Sequence, residues 1–429
     1  MTGVASPVPS ARSGGLSQPW RIAWFLFFAA GLNYADRAAL SSVIPPLKEE
    51  FGGTDTDIGI MGSMFLWTYA LFSVVAGSVA DRYSRSRIIF WSLTLWSGIT
   101  FLTGCATTVP QLYFLRTGLG LAECFYMPAA AALLGDYHGT ATRGRAMGFH
   151  LSGFQVGTLL GGMVAGTLAE HYGWRWGFWL LGGAGLGLAM LSRRFLVDAA
   201  PIPSATTAVR KPRVWPAYAY LARVPSFHVM LASTMVVGIA SWPLATWLPL
   251  YFRENYGLGL GSASITGFGL YMGPVFLGIS LSGWISDKGA RRGARYRVLL
   301  KAASFVASAP FILFFIGTPS LVLVGSALAL SSFIRALGSA NEHPIICDIT
   351  PPAFRSTAIG VLNLCGSAAG GVGVLLTGIL KKDLGLGAIF GFSAFLYFFA
   401  ALLLVISFFF FVPRDIARAQ QHEKSADLA

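Results

Sequence analysis

Apolar residues along this chain come in long runs, not in narrow stripes. From about residue 21 onward, stretches of 20 to 29 residues rich in Phe, Leu, Ile, Val, Ala and Gly alternate with short polar breaks such as "GGTDTD" (52–57), "DRYSRSR" (81–87) and "GDYHGTATRGR" (135–145). A helix rises about 1.5 Å per residue, so about 20 residues cross the ~30 Å hydrocarbon core of a bilayer. Backbone groups in lipid must be satisfied within the segment, so the runs predict helices. The alternation over about ten residues that marks a membrane barrel strand is absent. The pattern predicts an all-α membrane protein with twelve spans. They lie near 21–45, 57–80, 86–107, 110–135, 142–169, 174–196, 227–252, 262–286, 297–317, 319–347, 354–380 and 385–412.

Composition supports this reading. Of 429 residues, 55% are hydrophobic and 11% charged, with a mean hydropathy of +0.63; a soluble domain is about 25% charged. The first twenty residues lack an apolar core with a cleavage site and read as a flexible tail. The net charge of +13 is topological. With both termini in the cytoplasm, 23 of the 31 Lys and Arg fall in cytoplasmic segments, six of them in 288–301, and 5 fall outside. That is the positive-inside bias, and it makes nucleic acid an unneeded explanation. The expected location is a cell (inner) membrane, with both termini cytoplasmic. Cys105, Cys124, Cys347 and Cys365 show no metal or redox spacing. No HExxH, GxSxG or nucleotide-binding loop is present, so enzymatic activity, a cofactor, a metal and direct use of ATP are not expected.

The chain is written twice. "GSVADRYSRSR" (77–87) matches "GWISDKGARRG" (283–293), with Gly77 and Asp81 on Gly283 and Asp287. "GDYHGTATRGRAMG" (135–148) matches "CDITPPAFRSTAIG" (347–360), with Asp136 and Arg143 on Asp348 and Arg355, an offset of 212. Two parallel six-helix repeats, 21–196 and 227–412, follow. A cytoplasmic linker, 197–226, joins them, and tails of 1–20 and 413–429 flank them. Such halves with a site between them form a transporter architecture.

At these motifs the chain resembles the major facilitator superfamily, whose first loop reads roughly G-x-x-x-D-R-x-x-R-x-R. Gly77, Asp81, Arg82 and Arg85 stand in those places, and Gly283, Asp287 and Arg291 repeat them. The resemblance implies a cytoplasmic gate at these residues that closes in the outward-facing state.

Six charges lie inside spans: Asp36, Arg37, Arg116, Glu123, Arg335 and Glu342. Each costs at least ~2.5 kcal/mol at mid-membrane, so each should meet a partner or a water-filled cavity. Arg116 and Glu123 are seven residues apart, as are Arg335 and Glu342, two helical turns on one face. Asp36 and Arg37 point ~100° apart. An arginine fork suits a carboxylate or phosphate, so Arg37 and Arg116 are candidates for holding an anion. Burial favours the uncharged acid, so Asp36 and Glu123 are candidates for proton coupling, with a proton releasing Arg116 from Glu123. Permanent buried ion pairs are the alternative.

"NYADR", "FLWTYALFSVVAGSVADR", "RTGLGLAE" and "WLPLYF" resemble the anion:cation symporter family. The resemblance implies proton-coupled symport of a small organic anion, a carboxylate or sugar acid, with Asp36 and Glu123 carrying protons and Arg37 and Arg116 binding substrate. Spinster-type carriers of lysolipids and sphingolipids are similar at the same four positions and give the alternative substrate class. Asn33, Tyr34, Tyr69, Gln155, Arg335, Glu342 and Asn363 complete the candidate substrate site. Leu151 stands where the symporters often have Asn. The expected partners are the substrate, protons and the lipid bilayer, for a monomer.

Overall fold

The structure is a computed structural model that describes residues 17–139, 142–198, 214–290, 293–317 and 319–427. Residues 1–16 of the N-terminal tail and 199–213 of the linker lie outside them. The described chain is helical, without strands. The first half holds α1 (Gln18–Ser42), α2 (Ile44–Phe51), α3 (Asp55–Arg82), α4 (Arg85–Thr103), α5 (Val109–Glu123), α6 (Tyr126–Tyr137), α7 (Arg143–His171) and α8 (Arg175–Phe195). Then come α9 (Val214–Leu221), α10 (Pro225–Tyr256), α11 (Leu260–Ala290), α12 (Tyr296–Ile312), α13 (Leu321–Ser339), α14 (Glu342–Ile349), α15 (Arg355–Phe410) and α16 (Val412–Asp427).

Among the described residues, eight segments are long and apolar enough to cross a membrane by length and composition. One of these, Pro352–Phe410, supplies two of the expected spans. Gly385 interrupts α15 with φ 75° and ψ 156°, a conformation open to glycine. Gly373 packs on Ile239 before this point, and Tyr397 Oη lies 3.1 Å from Ser241 Oγ after it. A straight helix would separate 373 and 397 by about 36 Å, so the chain folds back at Gly385. α1, α4 and α8, with 25, 19 and 21 residues, are long enough to account for the remaining spans.

Two expected spans are each built from two helices. α5 gives way to α6 at Cys124–Phe125, and α13 to α14 at Ala340–Asn341. The boundary at 297 also changes one reading. Lys301, counted with the cytoplasmic loop, sits inside α12 and is 1% exposed.

The halves repeat the same side-chain contacts. Arg85 pairs with Asp136, and Arg297 pairs with Asp348 at 2.8 Å. Arg143 donates to the carbonyls of Gly135 and His138, and Arg355 to those of Cys347 and Thr350. Every one of these positions is displaced by 212. Each arginine closes the end of a broken helix pair with charge-assisted bonds, so the duplication is one of mechanical parts and not only of sequence.

Two ends of the molecule can be told apart: the motif end, with residues 77–87, and the far end, with α2. Contacts between the halves run along the far end. Gly59 faces Leu375, Ser63 Oγ donates to the Gly371 carbonyl at 2.7 Å, and Trp67 Nε1 donates to that of Ala368 at 3.0 Å. On the other seam Gly162 faces Phe268 and Gly166 faces Leu260. Lys381 joins Glu254 at 2.6 Å and, across the seam, Asp55 at 3.2 Å. Beyond Trp67, toward the motif end, Leu71, Val74 and Val75 of α3 are exposed.

Within the first half, the far end is tied by Glu50, which receives both terminal nitrogens of Arg175 at 2.6 Å and Trp174 Nε1 at 2.7 Å. The Arg175 bonds, with help from Trp174, hold the Glu50 carboxyl below its ordinary range. A depressed carboxyl adds stability above its unfolded value of about 4.3 and loses it as the pH falls through the folded value. The pair is partly solvated, so Glu50→Gln is expected to cost less than about 1 kcal/mol at pH 7. The Tm gap between the two proteins is expected to close as the pH drops below about 4; thermal unfolding from pH 7 to pH 3 checks this, and a pH-independent gap would show that packing, not charge, is lost.

Candidate functional site

The site forms where α1, α3 and α5 converge. Gly120 lets the α5 backbone lie against α3, since a Cβ there would sit 2.5 Å from the Phe65 carbonyl oxygen. That approach, with the break after Glu123, presents Glu123 to α1. Arg37 meets it with Nε at 2.8 Å and a terminal nitrogen at 2.7 Å from the same oxygen, Oε2. Asn33, one turn earlier on α1, accepts from Arg37 at 3.2 Å. The rings of Tyr34, Phe65 and Tyr69 lie 4.5, 4.7 and 4.9 Å from the guanidinium carbon. The cation is thus held by one carboxylate and three π-faces. Glu123 is 1% exposed and its Oε1 has no hydrogen-bond partner.

Asp36 points elsewhere, as its ~100° rotation from Arg37 requires. It is buried, accepts from Thr100 of α4 at 2.9 Å, and leaves Oδ1 without a partner. Arg116 is also buried, 5.9 Å from the Phe178 ring centroid, within electrostatic range of both Asp36 and Glu123. The expected Arg116–Glu123 contact is not made. Seven residues of helix separate the two by about 10.5 Å along the axis, whereas Arg37 arrives from α1 at the level of Glu123.

In the second half, Arg335 donates to Tyr271 Oη at 3.0 Å. Glu342 accepts from Thr234 at 2.7 Å and pairs with Lys301 at 3.1 Å. The sequence reading paired no residue with Glu342, because Lys301 stands only one turn inside its span. The signal available was the length of the span itself, which included position 301.

A cavity of about 220 Å³ lies between the halves. Tyr34, Arg37 and Thr158 form one wall; Ser241, Trp242 and Tyr271 form the other. Tyr69 faces Arg37, as given above. Gln155 is half-buried and Asn363 exposed, and neither lines this cavity. A larger groove of about 660 Å³, with Trp91, Leu95 and Leu121 along it and Arg87 at its end, opens on the outer surface of α3, α4 and α5, and neither Arg37 nor Glu123 lines it.

At the motif end, Asp81 and Arg82 are exposed and Arg85 is taken by Asp136. A Cβ at Gly77 or Gly283 would meet nothing within 4 Å. Asp287 lies in α11 with its side chain outside the described residues, as is Arg291 altogether.

Residues 26–339 match the family model of the Major Facilitator Superfamily. The chain belongs to that superfamily: it is a multi-pass membrane transporter and not an enzyme, as the loop motifs implied. It is 27% identical to an MFS-type efflux pump of Mycolicibacterium smegmatis over 86% of each chain. It is 29% identical to a probable sulfoacetate transporter of Cupriavidus necator over 82% of this chain and 85% of that one. Its fold is shared, at a TM-score of 0.79 and 21% identity, with a bacterial homologue of the human lysosomal transporter Spinster in an inward-facing and unoccupied conformation; 95% of this chain and 99% of that one are covered.

The cage around Arg37 generates a prediction. A lysine copies the charge but not the fork, and its ammonium is a compact, strongly hydrated point charge, ill suited to three ring faces. Arg37→Lys is expected to weaken organic-anion binding at least tenfold while Arg116→Lys, outside the cavity wall, weakens it less. Ligand titrations on the two purified variants check the order; equal losses would place both arginines at the anion.

Proposed function

We propose that this protein is a secondary active transporter that carries a small organic anion by alternating access and couples it to protons. The observation that carries the reading is Arg37, bound by the buried Glu123 on the wall of a cavity between the halves. An anion arriving at Arg37 competes with Glu123 for one guanidinium. A proton on Glu123 weakens its hold and frees the fork; loss of the proton restores the pair and expels the anion. Binding of substrate and proton is then favoured in common. Asp36, beside Arg116, is a second proton carrier in this scheme. The relative from Cupriavidus necator, named for an organic anion, supports the class of substrate.

The basic loops put the motif end in the cytoplasm. Contact between the halves at the far end supports an inward-open conformation, and the exposure of Asp81, Arg82 and Gly283 supports a disengaged cytoplasmic gate. A lysolipid carrier is the second reading. The large apolar groove with Arg87 at its end favours it, having room for an acyl chain; that neither Arg37 nor Glu123 lines the groove weighs against it.

Two experiments test this. Cys105 is exposed at the far end, so it is expected to label from outside the cell, and Arg87→Cys from inside; the reverse pattern would invert the topology. For coupling, uptake into proteoliposomes is run under a pH gradient and again as exchange against internal substrate. Asp36→Asn and Glu123→Gln are expected to retain exchange and to lose gradient-driven accumulation, because a permanently neutral side chain cannot load and release a proton. Wild-type accumulation in both variants would remove the proton assignment. Joint loss of exchange and thermal stability would mark the residues as structural, since an uncompensated buried arginine costs roughly 3–5 kcal/mol.

A further inference from the structure

We infer that the substrate carried in the cavity is an aryl carboxylate: a flat, apolar ring bearing a carboxylate, and not a polyhydroxylated sugar acid. The inference rests on the organic-anion reading above and assigns its substrate class. Three observations carry it.

The first is what the wall lacks. Among the described lining residues there is no Asn, Gln, Asp or Glu. The amides suited to a hydroxylated substrate lie off this wall: Asn33, whose Oδ1 accepts from Arg37, Gln155 and Asn363. The wall's hydroxyls are the single ones of Tyr34, Ser41, Thr158, Ser241, Thr246 and Tyr271, and two of them are partly engaged. Thr158 Oγ1 donates to the Phe154 carbonyl at 2.8 Å, and Ser241 Oγ lies 3.1 Å from Tyr397 Oη. A sugar acid brings several adjacent hydroxyls into this space, where single hydroxyls but no amide or carboxylate meet them, and a buried hydroxyl left without a partner is unfavourable.

The second is what the wall offers. Tyr34 from α1, Trp242 from α10 and Tyr271 from α11 bring ring surfaces from both halves to one space. Aromatic rings prefer offset or edge-to-face partners, which a flat ring supplies.

The third is charge. Arg37 is matched by Glu123 and Lys301 by Glu342. Arg335 has no carboxylate within 4.0 Å among the described residues, and its terminal nitrogen donates to Tyr271 Oη at 3.0 Å. The tyrosine oxygen accepts from the guanidinium, so its own O–H is free to donate and is strengthened by the charge behind it. Tyr271 lies on the cavity wall. A carboxylate therefore finds a charge-assisted donor on the second half before Glu123 has released Arg37, and both halves hold it afterwards.

The test uses purified protein and three probes: phenylacetate, glucuronate and lysophosphatidylcholine. Each is titrated by thermal shift, in which a ligand that binds the folded state raises Tm, and by inhibition of exchange in proteoliposomes. Phenylacetate is expected to bind at least tenfold more tightly than glucuronate. Tyr271→Phe and Arg335→Gln are expected to reduce phenylacetate affinity at least tenfold with little change in the ligand-free Tm; should Arg335→Gln fail to fold, Tyr271→Phe carries the test alone. Glucuronate binding as tightly as phenylacetate, or unchanged affinity in Tyr271→Phe, would overturn the inference and leave the organic-anion reading standing. Binding of lysophosphatidylcholine with neither anion bound would overturn both.

Discussion

An arginine held by a carboxylate inside a membrane protein is the constraint around which the first half is arranged. Neither Arg37 nor Glu123 is tolerable alone in the hydrocarbon layer, so the helices that carry them must be brought together. α5 breaks directly after Glu123, Gly120 allows α3 to close in, and Phe65 and Tyr69 of α3 come over the guanidinium. The pair is also left incomplete. Both short contacts from Arg37 fall on Oε2, and Oε1 has no partner. A pair built only for stability would use both oxygens, as Glu50 and Arg175 do at the far end.

The second half solves the same problem with different residues. At the position 212 beyond Glu123 stands Arg335, and the acid lies two turns further on at Glu342, answered by Lys301 of α12. The structural braces, Arg85–Asp136 and Arg297–Asp348, are copied; the charges near the cavity are not. Duplication preserved what holds each half together and left the charges near the cavity to diverge. Asp81 and Arg82 at the motif end belong to neither set: both are exposed.

Much of this was legible in the sequence. The runs of apolar residues gave the spans because a bilayer imposes one length on every helix, and the 212 offset gave the repeat because the braces need the same residue types at the same separation. Less legible was which charge meets which. Spacing along one helix put Glu123 with Arg116, since a sequence displays neighbours within an element and hides those across elements; Arg37 comes from another helix and wins on level. Lys301 was lost to the loop for a related reason, because a boundary error of one turn decides whether a cation counts as solvated. Gln155 and Asn363 illustrate the limit from the other side. A polar residue in a span must avoid lipid, yet nothing in its position along the chain tells a cavity wall from a vestibule or a helix contact.

The seam at the far end has a mechanical consequence. Gly59, Gly162, Gly166 and Gly378 put backbone or small surfaces where the halves touch, so the joint is smooth and acts as a fulcrum. From Trp67 to Arg82 the free arm of α3 is about 22 Å long. A tilt of roughly 10° at the joint, well within the range of rigid-body switching, carries its tip about 4 Å. In the proposed cycle, adjustments no larger than a methyl group at the fulcrum would be geared up into the opening and closing of a passage at the other end of the molecule.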